Sequence, residues 1–348
     1  MIARRDEVDG DRTRLPRLAL IGQLRWSQVL ARGLEGGPFD ISVVGIDRAS
    51  DAIRLDHIRE LHAADLILRV GFRSGALTVR GLLLDMFVEL FKRTSTTEVM
   101  YWIGTDVSAH ASEAGGARRP ARWRMGQRLI TTHLAGSTPL RDELRELDIP
   151  AEVADFPAFF AHPQGPLPPI PEDFAVLTYI PDARADFYGG NVVLALALRF
   201  PAVSFVVMGG WGGWLSPSTR PPNLHFVGWV ADARPLYSEC SVVLRLVRHD
   251  SIGATVAEGL LFGRPVLYTR PFPYSTLVAF DTDDVGSKLE RLVELHTAGE
   301  LRTNGEAARW ASERFDSATR FAALAERLSS AFEGRSDDHW RRRLGGVM

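Results

Sequence analysis

Two carboxylates and a glycine mark the stretch of this chain best equipped for chemistry. Asp250 and Glu258 stand eight positions apart in Arg248-His-Asp-Ser-Ile-Gly-Ala-Thr-Val-Ala-Glu-Gly-Leu-Leu-Phe-Gly263, with Gly253 between them. The β-branched, apolar run Ser241-Val-Val-Leu-Arg-Leu-Val247 before them predicts a strand. The apolar spacing after them, closed by Gly263-Arg264-Pro265, predicts a helix. A polar loop joining the two leaves the first N–H groups of the helix unpaired at the carboxyl end of the strand. Such groups bind anions, phosphate above all. Asp250 then lies in the loop and Glu258 about one turn into the helix. One carboxylate is placed to accept from a sugar hydroxyl and the other from a ribose, with a diphosphate on the amides between. The same residues also suit a plain strand–turn–helix unit with a solvated Glu258 and a capping Asp250 or Ser251.

Positioning such a loop takes a sheet of parallel strands, and the chain has the pattern for two. Strands are expected at Arg17–Ile21, Asp40–Gly45, Ala64–Val70, Glu98–Ile103 and Arg128–His133, with helical spacing behind Gly22, over Asp51–His62, Thr78–Phe91 and Thr138–Leu147. Then His162-Pro-Gln-Gly-Pro-Leu-Pro-Pro-Ile-Pro171 places five prolines in ten residues, which neither a helix nor a central strand tolerates. The alternation resumes with strands at Ala175–Ile180, Val203–Met208, Leu224–Val227, Val242–Val247 and Pro265–Tyr268. Helices are expected at Asn191–Phe200, Arg234–Glu239, Thr255–Phe262 and Val285–Leu295, and Ala307–Phe332 finishes in helices. Alternating βα units predict parallel, doubly wound sheets, with ligands beyond the carboxyl ends of the strands. The expected organisation is an amino-terminal Rossmann-like domain over 1–160, which the resemblance described below makes the acceptor-side one, and a proline-rich linker over 161–173. A nucleotide-binding domain follows over 174–316, and the helix and tail over 317–348 are placed to cross back to the first domain.

Composition narrows the function. A chain of 348 residues with 45% hydrophobic and 24% charged residues suits two folded domains. A net charge of -2 gives no basic field, so no nucleic-acid partner is expected. The stretch Gly81–Phe91 is too short to span a bilayer, and the amino terminus lacks the apolar core of a signal peptide. Cys240 is the single cysteine, which excludes an internal disulfide and a multi-Cys zinc site. A cytoplasmic protein is expected. Lysine occurs only at Lys92 and Lys288, so any phosphate is gripped by arginine forks or backbone amides.

The second half resembles the retaining glycosyltransferases of family 4, whose GT-B fold sets two Rossmann-like doubly wound domains facing across a cleft. The likeness rests on Asp250-x7-Glu258 followed by Leu261-Phe-Gly-Arg-Pro-Val266, on Phe205-Val-Val-Met-Gly-Gly210, on His225-Phe-Val-Gly-Trp-Val230 and on Leu236-Tyr-Ser-Glu-Cys-Ser241. It covers roughly Phe174 to Thr269 and is weaker in the first half. The resemblance implies that Glu258 accepts from the nucleotide ribose and that Asp250 meets donor-sugar hydroxyls. The N–H groups of Gly253, Ala254 and Thr255 would face sugar and diphosphate, and Gly228 and Trp229 would lie near the base. The loop Pro181-Asp-Ala-Arg-Ala-Asp-Phe-Tyr-Gly-Gly190 offers Arg184, Gly189 and Gly190 to the donor, but Tyr188 stands where the family carries a phosphate-binding lysine. Arg245 or Arg248 is then the candidate for the missing charge. The leading loop Gly22-Gln-Leu-Arg-Trp26 has one glycine where the family usually shows two.

The implied reaction moves a hexose from a nucleoside-diphosphate sugar to an unidentified acceptor with retention. Preorganised N–H groups and guanidiniums stabilise such a leaving diphosphate. No His-rich cluster calls for a metal, so transfer without a metal or other cofactor is expected. His249 and Ser251 adjoin Asp250 and complete the donor-side set. Asp106, at the end of the fourth strand, is placed either to orient the acceptor or to cap the segment after it. The Trp211-Gly-Gly-Trp214 pair suits stacking on a ligand or plain loop packing. The basic stretch 118–128 suits peripheral contact with an anionic membrane or a solvated face. Two other functions fit the same fold class. One is a sugar-nucleotide-binding protein without turnover. The other is a dinucleotide-dependent oxidoreductase, disfavoured because no Gly-x-Gly-x-x-Gly follows an expected strand.

Overall fold

Six parallel strands build the first of two sheets: β1 (Arg17–Gly22), β2 (Asp40–Gly45), β3 (Leu66–Val70), β4 (Thr97–Trp102), β5 (Thr132–Ala135) and β6 (Glu152–Val153). Their order is β2-β1-β3-β4-β5-β6. This computed structural model describes residues 14–45, 54–71, 79–114 and 130–345. Strands β3 and β4 are buried along their whole length, as parallel strands covered on both faces must be. Helices α1 (Leu24–Leu34), α2 (Leu55–Ala63), α3 (Val79–Phe91), α4 (Thr105–Ala114) and α5 (Thr138–Glu146) fill the crossovers. One charged cluster is built into this sheet. Arg69 of β3 is fully buried, donates to Glu98 of β4 at 2.7 Å and to Asp85 of α3 at 2.9 Å, and Glu98 also meets Lys92.

The second sheet has strands β7 (Ala175–Tyr179), β8 (Ser204–Met208), β9 (Leu224–Gly228), β10 (Val242–Arg245), β11 (Val266–Tyr268) and β12 (Ser275–Leu277). All pairings are parallel, in the order β12-β11-β10-β7-β8-β9. Counted from β7, this is the dinucleotide-binding order 3-2-1-4-5-6. The order reverses between β7 and β10, so the loops leaving those two strands diverge and open a crevice at their carboxyl ends. Around the sheet lie α6 (Gly190–Arg199), α7 (Arg234–Glu239), α8 (Ala254–Leu261), α9 (Thr282–Thr297) and α10 (Gly305–Arg314), followed by α11 (Ser317–Gly345). Helix α8 buries Val256, Ala257, Leu260 and Leu261, with the large side chains worth about 1.5–3 kcal/mol each. That anchoring fixes the turn that precedes it.

The chain divides into two compact units, Met1–Phe156 with Phe321–Met348 and Pro157–Arg320. Phe321, Leu324 and Leu328 of α11 belong to the core of the first unit, with Leu30 and Leu34 of α1. The proline-rich segment contains no helix or strand and is strapped to the second unit. Arg264, 1% exposed, donates to the Pro169 carbonyl at 2.9 Å, and His296 Nε2 lies 2.8 Å from the Pro171 carbonyl. Among the described residues no helix is long and apolar enough to cross a membrane.

Several boundaries differ from the expected ones for identifiable reasons. The fifth strand falls at Thr132–Ala135, later than Arg128–His133, because Tyr101 and Trp102 of β4 align with Leu134 and Ala135. Strands β6 and β12, of two and three residues, carry too little pattern to be read. The carboxyl-terminal helical run breaks at Phe315, and Asp316 then accepts from the Thr319 N–H at 2.7 Å to start the last helix.

Candidate functional site

The turn between β10 and α8 has the geometry of an anion site. Gly253 is the N-cap of α8, with φ -65 and ψ 132, and no side chain caps the helix. The N–H groups of Gly253, Ala254 and Thr255 find no acceptor among the described residues. The Thr255 hydroxyl, on a residue 4% exposed, is likewise without a partner. Unpaired amides at a helix start carry about half a positive charge between them.

Asp250 lies beside this turn, held by one oxygen. Arg245, the last residue of β10, donates to Asp250 Oδ2 from Nε at 3.0 Å and from Nη2 at 2.8 Å. The Tyr268 hydroxyl stands 3.3 Å from the same oxygen. Among the described residues Oδ1 takes no hydrogen bond. Gly253 is what lets the turn close over this pair: a Cβ there would stand 2.7 Å from Arg245 Nε and 2.8 Å from Asp250 Oδ2. Burial opposes the charge on Arg245, yet Asp250 more than compensates and lifts the pKa of the guanidinium above its usual value. Burial and the Asp250 charge together raise the Tyr268 hydroxyl.

Glu258, on the first turns of α8, is satisfied from two distant segments. Its Oε1 accepts from the Ala161 N–H at 3.0 Å and its Oε2 from the Tyr237 hydroxyl at 2.7 Å. Burial raises its pKa, and these two donors pull it part of the way back. The residue keeps a partly exposed surface. Tyr237 is fully buried and stacks on Phe262 with centroids 5.4 Å apart. Neither Ala161 nor Tyr237 was among the candidates. Partners 97 and 21 positions away leave no local spacing to read.

The loop after β7 forms the other wall of the crevice at the switch point. It folds as a 3₁₀ turn over Asp182–Tyr188 and ends at Gly189, which has φ 71 and leads directly into α6 at Gly190. Arg184 is exposed, and its guanidinium lies 4.0 Å above the Phe187 ring. Asp182, which sequence reasoning passed over, accepts from the N–H groups of Trp211 (2.9 Å), Gly212 (2.9 Å) and Gly213 (3.0 Å). It thereby shapes the glycine-rich loop after β8. An acid opposite a Gly-Gly-x-Gly-Gly run was the available clue. Gly228 closes β9 with φ 68, a conformation that favours glycine, and Trp211 covers its open face. Trp211 and Trp229 are 70% and 57% exposed.

Asp106 belongs to the first unit, and Arg248, His249 and Ser251 to the loop that carries Asp250. Asp106 is buried near the start of α4, where its carboxylate accepts from the N–H groups of Ile103 (3.1 Å) and Gly104 (2.7 Å). Burial raises its pKa against those bonds. These bonds tie its carboxylate to the turn that leads into α4. His249 and Ser251 are partly exposed on the loop itself. Arg248 is exposed, with its guanidinium 4.6 Å from the Phe280 ring centre. The basic stretch 118–128 lies outside the described residues. The acidic sequence Asp281-Thr-Asp283 is a helix start, with Asp281 accepting from the Asp283 and Asp284 N–H groups.

Comparison with protein-family models and with curated protein sequences finds no match. Solved structures do match. The chain is similar to HepE of Anabaena in complex with UDP-glucose, at 15% identity over 90% of this chain and 99% of that one, with a TM-score of 0.63. It is similar to sucrose-phosphate synthase of Thermosynechococcus elongatus at 13% identity, over 90% and 100% of the two chains, with a TM-score of 0.63. A glycosyltransferase of Rickettsia africae matches at 11% identity over 92% and 98%, with a TM-score of 0.60. Likeness at these identities establishes the fold, two Rossmann-like domains of the GT-B type.

Proposed function

We propose that this chain is a retaining glycosyltransferase that moves a hexose from a nucleoside-diphosphate sugar to an acceptor hydroxyl without a metal. One observation carries the proposal. Three unpaired amides, at the switch point of a sheet in dinucleotide-binding order, lie between a carboxylate with one oxygen uncommitted and a second, partly exposed carboxylate. The amides of Gly253, Ala254 and Thr255 would hold the diphosphate, Asp250 Oδ1 would accept from a sugar hydroxyl, and Glu258 would accept from the ribose. In the transfer the anomeric carbon–oxygen bond to the diphosphate breaks and the leaving group takes the electron pair. The acceptor oxygen forms the new bond on the same face and passes its proton to the departing phosphate oxygen. Stabilising that leaving group is what the oriented amides supply, and losing one such donor typically costs ~10²–10³ in rate.

UDP-glucose, the compound bound to HepE, is the first donor to try. A melting screen against UDP, GDP and ADP identifies the base, because a ligand specific to the folded state raises Tm by mass action. Labelled donor then reports hydrolysis or transfer, and the anomeric configuration of the product reports retention. Asp250→Ala is expected to lower turnover and Glu258→Ala to weaken nucleotide binding. Turnover is expected to survive chelation. An Asp250→Ala protein with wild-type turnover would end the proposal. A second reading, a sugar-nucleotide-binding protein without turnover, draws on Tyr188 in place of a cation and on the commitment of Arg245 to Asp250. Binding without release of sugar would favour it.

A further inference from the structure

An acid beside an anion-binding turn sets an electrostatic problem. Ionised and alone, Asp250 would repel the diphosphate that the Gly253 amides are proposed to hold. Arg245 is placed to cancel that charge. Its Nε and Nη2 both reach Oδ2, at 3.0 and 2.8 Å, in side chains only 8% and 15% exposed. The Tyr188 ring centre lies 4.9 Å from the guanidinium carbon and that of Tyr179 lies 5.7 Å away, so two packed aromatic rings lie against one side of the cation. The absence of a Cβ at Gly253 seats the turn directly on the pair.

We infer that Arg245 is a positioning residue for Asp250 and not a ligand of the diphosphate. By gripping Oδ2 it neutralises the carboxylate next to the turn and leaves Oδ1 as the one oxygen aimed at a ligand donor. That ligand group is a hydroxyl, since a neutralised carboxylate beside oriented amides accepts from an O–H and does not attract a second cation. The aromatic setting fixes the guanidinium in place, which a fork-shaped ion pair needs and a flexible ammonium would not match. The diphosphate is left to the backbone amides. This inference rests on the glycosyl-transfer proposal for its ligand, but the ion pair can be tested without any ligand.

The test uses Arg245→Met, Asp250→Asn, the double variant and Arg245→Lys, each in the full chain. Without ligand, Arg245→Met strands a mostly buried carboxylate, so it should lower Tm, and the double variant, which removes that charge, should recover part of the loss. With UDP as the probe, Arg245→Met should bind at least about tenfold more weakly, the size expected for an uncompensated charge. The double variant should recover UDP affinity while turnover of UDP-glucose stays low. Arg245→Lys, which keeps the charge and loses the fork, should hold its UDP affinity and lose kcat. A double variant that binds UDP as weakly as Arg245→Met would show direct contact between guanidinium and diphosphate and overturn the inference. So would a double variant that melts no higher than Arg245→Met, or wild-type kcat in Arg245→Lys. If the wild-type chain binds no nucleoside diphosphate, the transfer proposal fails, and the melting curves still decide whether Arg245 holds Asp250.

Discussion

Tyr237→Phe removes one oxygen from the network around Glu258 and nothing else. The ring is fully buried and stacked on Phe262, so the substitution keeps its packing. What disappears is the O–H that donates to Glu258 Oε2 at 2.7 Å. A hydrogen bond to a charged group is worth about 1.5–3 kcal/mol. Glu258 retains the Ala161 N–H and a partly exposed edge where water can replace the lost donor, which places the loss near the lower figure. For a unit of this size about 1.5 kcal/mol corresponds to a Tm fall of about 3–6 °C. The Tyr237 O–H also favours ionised Glu258, opposing the upward push of burial on its pKa. The deficit should therefore grow from pH 5 to pH 8, the direction in which ionisation of Glu258 proceeds. Scanning calorimetry of the two proteins at both pH values measures this. A variant that melts with the wild type at both pH values would refute the role assigned to the hydroxyl.

Glu258→Gln tests the same carboxylate from the other side. Its folded pKa is raised by burial, so it contributes stability that is present below the usual glutamate value of about 4.3 and lost as pH climbs to the raised value. The amide cannot titrate, and the Tm of Glu258→Gln should lose that decline in a pH series. Asp182→Ala strips the acceptor from three loop amides. We expect a loss of about 1.5–3 kcal/mol in chemical denaturation and faster hydrogen exchange at Trp211, Gly212 and Gly213. Unchanged exchange at those three amides would remove Asp182 as the organiser of that loop.

What could be read from the sequence follows from which signals are local. The strands from β7 to β11 are short apolar runs between turn residues, and a parallel strand buried on both faces leaves that trace. The acid, glycine and second acid of the 250–258 stretch were visible for the same reason: one loop and one helix turn carry them. Helix α7 stood out as Arg-Pro-Leu-Tyr-Ser-Glu with proline in its first turn. By contrast, the partners that give the carboxylates their character come from other elements. Arg245 was visible as a cation near the loop, but its commitment to Asp250 depends on where the strand ends and the turn closes. Tyr237 and Ala161 reach Glu258 only because α7 and the segment before the prolines fold onto α8. Asp106 could be read as an acid at a strand's carboxyl end, but the two backbone N–H groups that hold its carboxylate depend on how the turn before α4 closes. The three-residue edge strand β12, preceded by Tyr274 at φ 60, had no pattern long enough to recognise.

The central claim is that the amides at the start of α8 hold the diphosphate of a nucleotide sugar. The most direct measurement is an amide NMR titration of ¹⁵N-labelled protein with the nucleoside diphosphate that raises Tm most. The N–H signals of Gly253, Ala254 and Thr255 should move earliest and furthest, in step with the binding isotherm. Saturable binding that leaves those three signals in place would contradict the claim.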